Sequence, residues 1–131
     1  MARSVTPFLM FDGLAETAIN FYVTLFQGSA AKHIEWYDPD EQGKAGSVKR
    51  AECVIAGQNV MAIDSPVKHP FTFTPSVSLF VQCETEAELD AAFGQLCDGG
   101  AALMPPGNYG FSAKFAWVND RFGVTWQLNL Q

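Results

Sequence analysis

Charge is scarce in this chain of 131 residues: Asp, Glu, Lys and Arg together make up 17% of it. Eight basic residues stand against fourteen acidic ones, and the net charge is −6. No Lys/Arg cluster offers phosphates a positive face, which argues against nucleic acid as a partner. Cysteine is sparse too. Cys53, Cys83 and Cys97 are odd in number and show no C-x-x-C spacing, so neither a disulfide framework nor a zinc knuckle is indicated. No apolar run approaches the roughly 20 residues that a membrane helix needs, and the N-terminus lacks a signal-peptide core. A reduced, cytoplasmic protein without a membrane partner is expected. A glycine-rich nucleotide turn is also missing: "MFDGLAET" and "QCETEAEL" lack the pattern that a nucleotide-type methyl donor wants between strand and helix.

Apolar residues are plentiful, at 48%, and they are arranged twice over. "FLMFDGLAETAINFYVTLFQGSA" (8–30) aligns with "LFVQCETEAELDAAFGQLCDGGA" (79–101). Each begins with an extended apolar run and passes into a helix-patterned stretch. Ala15, Ala18, Ile19, Tyr22, Leu25 and Phe26 recur at helical spacing in the first. Leu89, Ala92, Phe93, Leu96 and Cys97 do so in the second. Gly28 falls on Gly99, where each helix is expected to end in a left-handed cap, and Thr85 with Glu88 forms a capping box.

After each helix comes one strand, "SAAKHIEWY" (29–37) or "AALM" (101–104), and then a hairpin. The hairpins span 48–64, turning near Gly57, and 111–130, turning near Asp120–Gly123. Each half therefore reads β-α-β-β-β. Module 1 covers 4–64, a linker with three prolines covers 65–75, and module 2 covers 76–131. The predicted class is α+β: two βαβββ modules forming a curved eight-stranded mixed sheet, helices outside and a cleft inside. An unrelated α+β sandwich with chance similarity between its halves is the alternative. On the closing strand, Trp126 is expected to face the helix, with Thr125, Gln127 and Asn129 facing the cleft.

The arrangement resembles the vicinal oxygen chelate superfamily, which includes glyoxalase I, extradiol dioxygenases and fosfomycin-resistance proteins. "PFLMFDGLAETAINFY", "FTFTPSVSLFVQCETEAELD" and "NDRFGVTWQL" look like its PhnB-like branch, whose members are often labelled demethylubiquinone methyltransferase-like. That resemblance covers nearly the whole chain. It implies a single glyoxalase-like domain of paired modules and a homodimer. It also implies metal positions on the first and last strand of each module, usually His, Glu or Gln. The matching positions here are Pro7, Met61, Ser78 (or Ser76) and Gln127, with Gly57 and Gly123 equally spaced before Met61 and Gln127. Proline has no side-chain donor, methionine offers a soft thioether, serine is a weak neutral ligand, and one amide cannot hold an ion alone. A cleft without metal or other cofactor is expected.

The histidines are His33 and His69. His33 lies two residues from Glu35, so both could share a strand face as a displaced metal site or general base; a polar strand face is the simpler reading. Asp38, Asp40 and Glu41 sit in a Gly-rich loop without calcium-loop spacing. Lys114 and Arg121 read as solvated, Arg121 within reach of Asp120. Among the aromatics, Trp36, Tyr37, Phe71, Phe73, Tyr109 and Phe111 gather near loops and strand ends.

The expected function is that of a metal-free small-molecule-binding protein. Pro7, Leu9, Met61 and Phe80 would form an apolar cleft, with Ser76, Ser78, Thr125 and Gln127 as its polar groups. One alternative is an enzyme, either a metal-dependent lyase or dioxygenase with atypical ligands or a metal-free catalyst. Methyl transfer rests on the family label alone. A purely structural dimer is the remaining alternative.

Overall fold

The structure is a computed structural model that describes residues 1–131. The chain divides into two compact units, Met1–Thr72 and Phe73–Gln131, and the division falls inside the proline-bearing 65–75 segment. The first unit runs β1 (Phe8–Phe11), α1 (Ala15–Tyr22), β2 (Ala30–Trp36), β3 (Val48–Ile55) and β4 (Gln58–Asp64). The second runs β5 (Ser78–Cys83), α2 (Glu86–Cys97), β6 (Ala101–Gly107), β7 (Lys114–Asn119) and β8 (Thr125–Leu130). The α+β class and the two βαβββ modules expected from the sequence are present, and the strands hydrogen-bond as two sheets of four. The strand orders are β1-β4-β3-β2 and β5-β8-β7-β6. In each sheet the first and last strands of the module run parallel and the other neighbours antiparallel.

Strand alternation decides what each helix covers. In the first unit Val60 and Ala62 on β4 and Ala51 and Cys53 on β3 are buried, and α1 packs on those strands with Ala15, Ala18, Ile19 and Tyr22. In the second, Trp126 and Leu128 on β8 and Ala116 and Val118 on β7 meet Leu89, Ala92 and Leu96 of α2. Trp126 is 1% exposed, on the helix side as expected.

The two helices end differently. α2 closes as expected, with Asp98 at its C-cap and Gly99 following at φ 78. The expected cap forms with its return bond one residue early: Glu88 N donates to Thr85 Oγ1 at 3.1 Å, while Glu88 Oε1 accepts from Glu84 N, before the N-cap, at 3.0 Å. α1 stops earlier than its periodicity suggests, at Tyr22. There the bonding tightens, with Thr24 N reaching Phe21 O and Leu25 N reaching Tyr22 O, so Leu25 and Phe26 lie in a turn. Gly28 is left-handed, at φ 74, but beyond the helix.

α1 has no side-chain cap of its own. Its first turn is closed instead by Asp64, from the end of β4. Asp64 Oδ1 accepts from Gly13 N at 2.8 Å and Ala15 N at 3.0 Å, and Oδ2 accepts from Val48 N at 2.8 Å. The Asp64 carbonyl accepts from the buried Tyr37 hydroxyl at 3.0 Å. One carboxylate thus joins β4, the β1–α1 turn and the start of β3. Asp120 does similar work in the other unit. Its Oδ1 accepts from Phe122 N and Val124 N, at 2.8 and 3.0 Å, and its Oδ2 from Trp126 Nε1 at 3.0 Å.

Two losses of stability follow. Asp64→Ala strands several buried N–H donors and should cost about 3–5 kcal/mol in denaturant unfolding, whereas Asp12→Ala, on an exposed neighbour, should change stability by no more than about 0.5 kcal/mol. Trp126→Ala should cost about 3–5 kcal/mol, and a much smaller loss would contradict its place in the core.

Candidate functional site

The sheet of the second unit has one face on α2. The other carries Ser78, Phe80 and Gln82 from β5, Thr125, Gln127 and Asn129 from β8, and Trp117 and Asn119 from β7. The register pairs Ser78 with Thr125, Phe80 with Gln127 and Gln82 with Asn129, and on the other side of β8 Asn119 with Thr125 and Trp117 with Gln127. Residues so paired point the same way. The polar groups on this face form a hydrogen-bonded row. Thr125, 0% exposed, donates its hydroxyl to Val77 O at 2.9 Å, so in the 2.9 Å Ser78–Thr125 contact Ser78 is the donor. Ser78 Oγ in turn accepts from Gln127 Nε2 at 3.2 Å. Ser78 and Thr125 therefore fix the sheet, and half-buried Gln127 is left with its Oε1 acceptor available. Beside it Phe80 is 58% exposed. Ser76 lies exposed before β5 starts.

Three further groups stand on this face: Asn129, expected to face this way though not among the ligand-binding residues, and Trp117 and Asn119, on which no expectation rested. Asn129, 5% exposed, donates to Gln82 Oε1 at 3.0 Å and Gln131 Oε1 at 3.2 Å, while its own Oδ1 is buried without a partner. Trp117 Nε1 and Asn119 Oδ1 are buried and unpartnered as well. The alternation in "FAWVN" that sends Ala116 and Val118 to the helix sends Trp117 and Asn119 the other way, and extending it to β7 would have found them.

The first unit corrects part of the expected list. Phe8 pairs with Met61, and Leu9 with the fully buried Ala62. Leu9 and, by alternation, Pro7 thus point to the helix side, opposite to Met61. The alignment was one residue out of step with the pleat, and a single step reverses a strand's faces. Thr6 and Phe8 take the places given to Pro7 and Leu9. Thr6, Lys32, Glu52, Asn59 and Met61 line a hollow of about 200 Å³ on this face, and Phe8 is 56% exposed.

Metal chemistry is poorly served by either face. The free groups at the family's positions are the Thr6 hydroxyl and Met61 thioether in one unit, and Gln127 with a committed Ser78 in the other. None is the carboxylate or imidazole that a divalent ion needs, and no three His, Cys, Asp or Glu are grouped to hold one. His33 and Glu35 do share a strand face, 3.6 Å apart, and both are well exposed. Glu52, on the same face, accepts from Arg50 at 3.0 Å. His69 stacks on Phe71 with ring centroids 4.8 Å apart. In the 38–47 loop Glu41 accepts from Asp38 N at 2.9 Å and pairs with Lys49, while the Tyr37 ring packs over Gly43. Lys114 is not merely solvated: it bridges Glu86 and Asp90 of α2 at 2.9 and 2.7 Å.

Burial raises the Cys53 thiol to about 11, and burial, with the Glu88 carboxylate adding to it, raises Cys83 to about 11. Neither is an activated nucleophile.

The sequence model of the 3-demethylubiquinone-9 3-methyltransferase family matches residues 3–129. Among curated proteins none matches this chain. Of solved structures, the PhnB protein from Bacillus cereus is 52% identical over 98% of this chain and 100% of its own, with a TM-score of 0.95. Protein PA1353 from Pseudomonas aeruginosa is 25% identical over 99% of this chain and 98% of its own, with a TM-score of 0.86. A glyoxylase/bleomycin resistance protein/dioxygenase domain from Frankia sp. EAN1pec shares 14% identity over 99% and 98%, and its TM-score of 0.68 marks the fold as glyoxalase-like.

The raised thiols give a solution test. At pH 8 in the folded protein, Cys53 and Cys83 should react with a thiol reagent about a hundredfold more slowly than after unfolding, since two pH units of upward shift remove that factor of thiolate. Fast labelling of all three cysteines in the native state would contradict the packing.

Proposed function

Because the chain belongs to the 3-demethylubiquinone-9 3-methyltransferase family, the PhnB-like branch of the glyoxalase-fold superfamily, we propose that it binds a small molecule on its open sheet faces without help from a metal ion. The observation that carries this reading is Gln127: a half-buried amide, held by Ser78 at 3.2 Å, with its oxygen uncommitted and the exposed Phe80 ring next to it in register. An oriented polar group beside apolar surface is the usual composition of a ligand site. Phe8 and Met61 supply the corresponding apolar surface in the first unit. Pro7 and Leu9 drop out of the set, and Ser78 and Thr125 act by positioning Gln127.

Methyl transfer from a nucleotide-type donor gains no support from the helix termini. Such donors present anionic or polar groups to the free N–H groups of a first helical turn. Here Gly13 N and Ala15 N donate to Asp64, and α2 is closed by Thr85 and Glu88. A metal-dependent lyase or dioxygenase meets the donor shortage already described, and the acid–base pair on the first unit's face, His33 and Glu35, is well exposed and 3.6 Å apart, beyond hydrogen-bond length.

The reading extends to a cytoplasmic homodimer. No helix is long and apolar enough to cross a membrane. The exposed Tyr109 and Phe111 rings, stacked with centroids 6.4 Å apart, offer surface for a second copy.

Thermal unfolding against a panel of metabolites tests the binding role. A ligand present at about a hundred times its Kd should stabilise the wild-type protein by about 2.7 kcal/mol. Gln127→Ala should lose most of that shift while keeping the melting temperature of the free protein. Stoichiometric zinc, nickel, iron or manganese in the purified protein would overturn the metal-free reading.

A further inference from the structure

The buried side-chain atoms that lack a partner are Trp117 Nε1, Asn119 Oδ1 and Asn129 Oδ1, and all belong to one face of one sheet. Leaving such an atom buried and unbonded costs about 1–3 kcal/mol. The core manages its other polar groups completely: Asp64, Asp120 and Thr125 are each buried and each fully engaged. A deficit confined to one face, next to the uncommitted oxygen of Gln127, marks groups kept for something outside the fold.

The same face is uncharged. Lys114 is the sole ionisable residue in the strands β6, β7 and β8. It points to the helix side, where Glu86 and Asp90 hold it. Of β5, only Cys83 can ionise, and its side chain is buried with a raised pKa. The sheet of the first unit is the reverse, with Lys32, His33, Glu35, Arg50 and Glu52 on β2 and β3. An ion brought against the buried Trp117, Asn119 and Asn129 groups would shed hydration and find no counter-charge on this face.

Resting on the proposed binding function, we infer that the ligand group read by this face is neutral, with a hydrogen-bond acceptor for the Trp117 indole N–H and a donor for the Asn129 or Asn119 carbonyl oxygen. Aromatic carboxamides and amino-substituted heteroaromatics are the class that fits: they carry both functions and a flat apolar body for Phe80 and the Trp117 ring. Gln82 and Gln127 form the rim. The Gln82 Nε2 bond to Asn129 O, at 3.3 Å, is the long one in the row and is the contact that yields to an entering ligand.

The indole N–H resonances provide the test, because the chain's tryptophans differ in bonding. Trp36 Nε1 donates to Glu16 at 2.8 Å, Trp126 Nε1 donates to Asp120 at 3.0 Å, and Trp117 Nε1 has no partner. In ¹⁵N-labelled protein titrated with benzamide, benzoate and benzylammonium, benzamide should move the Trp117 indole signal and leave the other two in place. It should do so at a concentration at least tenfold below either ion. Asn129→Leu should weaken the benzamide response several-fold while Trp126 keeps its signal, which shows that the variant is folded. If benzoate or benzylammonium works as well as benzamide, the neutral class is overturned and the binding function stands. If none of them moves Trp117 although a metabolite from the panel stabilises the protein through Gln127, this face reading is wrong on its own.

Discussion

Asp64 is the interaction on which the first module depends. A carboxylate at 2% exposure would be untenable without donors, because an unpaired buried charge costs several kcal/mol. Here it meets N–H groups from the β1–α1 turn and from the start of β3, and its carbonyl holds Tyr37. Those contacts settle where α1 begins, at what angle β1 feeds it, and how the 38–47 loop closes over the Tyr37 ring. They also take up the Ala15 N–H of the first helical turn and the Gly13 N–H just before it, leaving fewer oriented N–H groups there for an anion.

The second module solves the same two problems separately. Its helix is capped locally by Thr85 and Glu88, and its buried carboxylate, Asp120, organises the β7–β8 turn and orients Trp126. Similar topology therefore does not mean equivalent chemistry. The first module's open face bears charges of both signs on β2 and β3, whereas the second bears amides, a hydroxyl pair and aromatic rings. The repeat fixes the βαβββ scaffold, and the functional difference lies in which residues alternate outward.

Local signals explain which parts of this were readable from the sequence. The modules, the helix-facing side of Trp126, the capping box and the Gly99 cap all rest on contacts within a few residues or on strict periodicity. Asp64 could not be recognised, because its partners in the β1–α1 turn lie 49 and 51 positions away and nothing in "AIDSP" announces them. The premature end of α1 is another tertiary effect: Leu25 and Phe26 keep the helical spacing, but their backbone has turned. Pro7 and Leu9 were misplaced because the two halves align by their helices, one residue out of step with the strand register. A period of two forgives no such slip.

The row on β8 shows how much of a site can be structural. Read as sequence, Thr125, Gln127 and Asn129 share one strand face, and Thr125 and Gln127 look like equal candidates for a ligand. A hydroxyl has a single proton, and Thr125 gives its own to Val77 O; Ser78 then gives its proton to Thr125 and presents an oxygen to Gln127. The direction of the whole chain is set by that first bond, and it leaves the Gln127 amide turned with its oxygen outward. Thr125 and Ser78 thus act on the sheet by orientation, their hydroxyls spent on Val77 O, on each other and on Gln127. The proposed recognition falls to the atoms for which the sheet supplies no partner, and these include both a donor and acceptors. A face with this mixture and no ionisable group discriminates by hydrogen-bond pattern and shape, since Coulomb attraction has nothing there to act on.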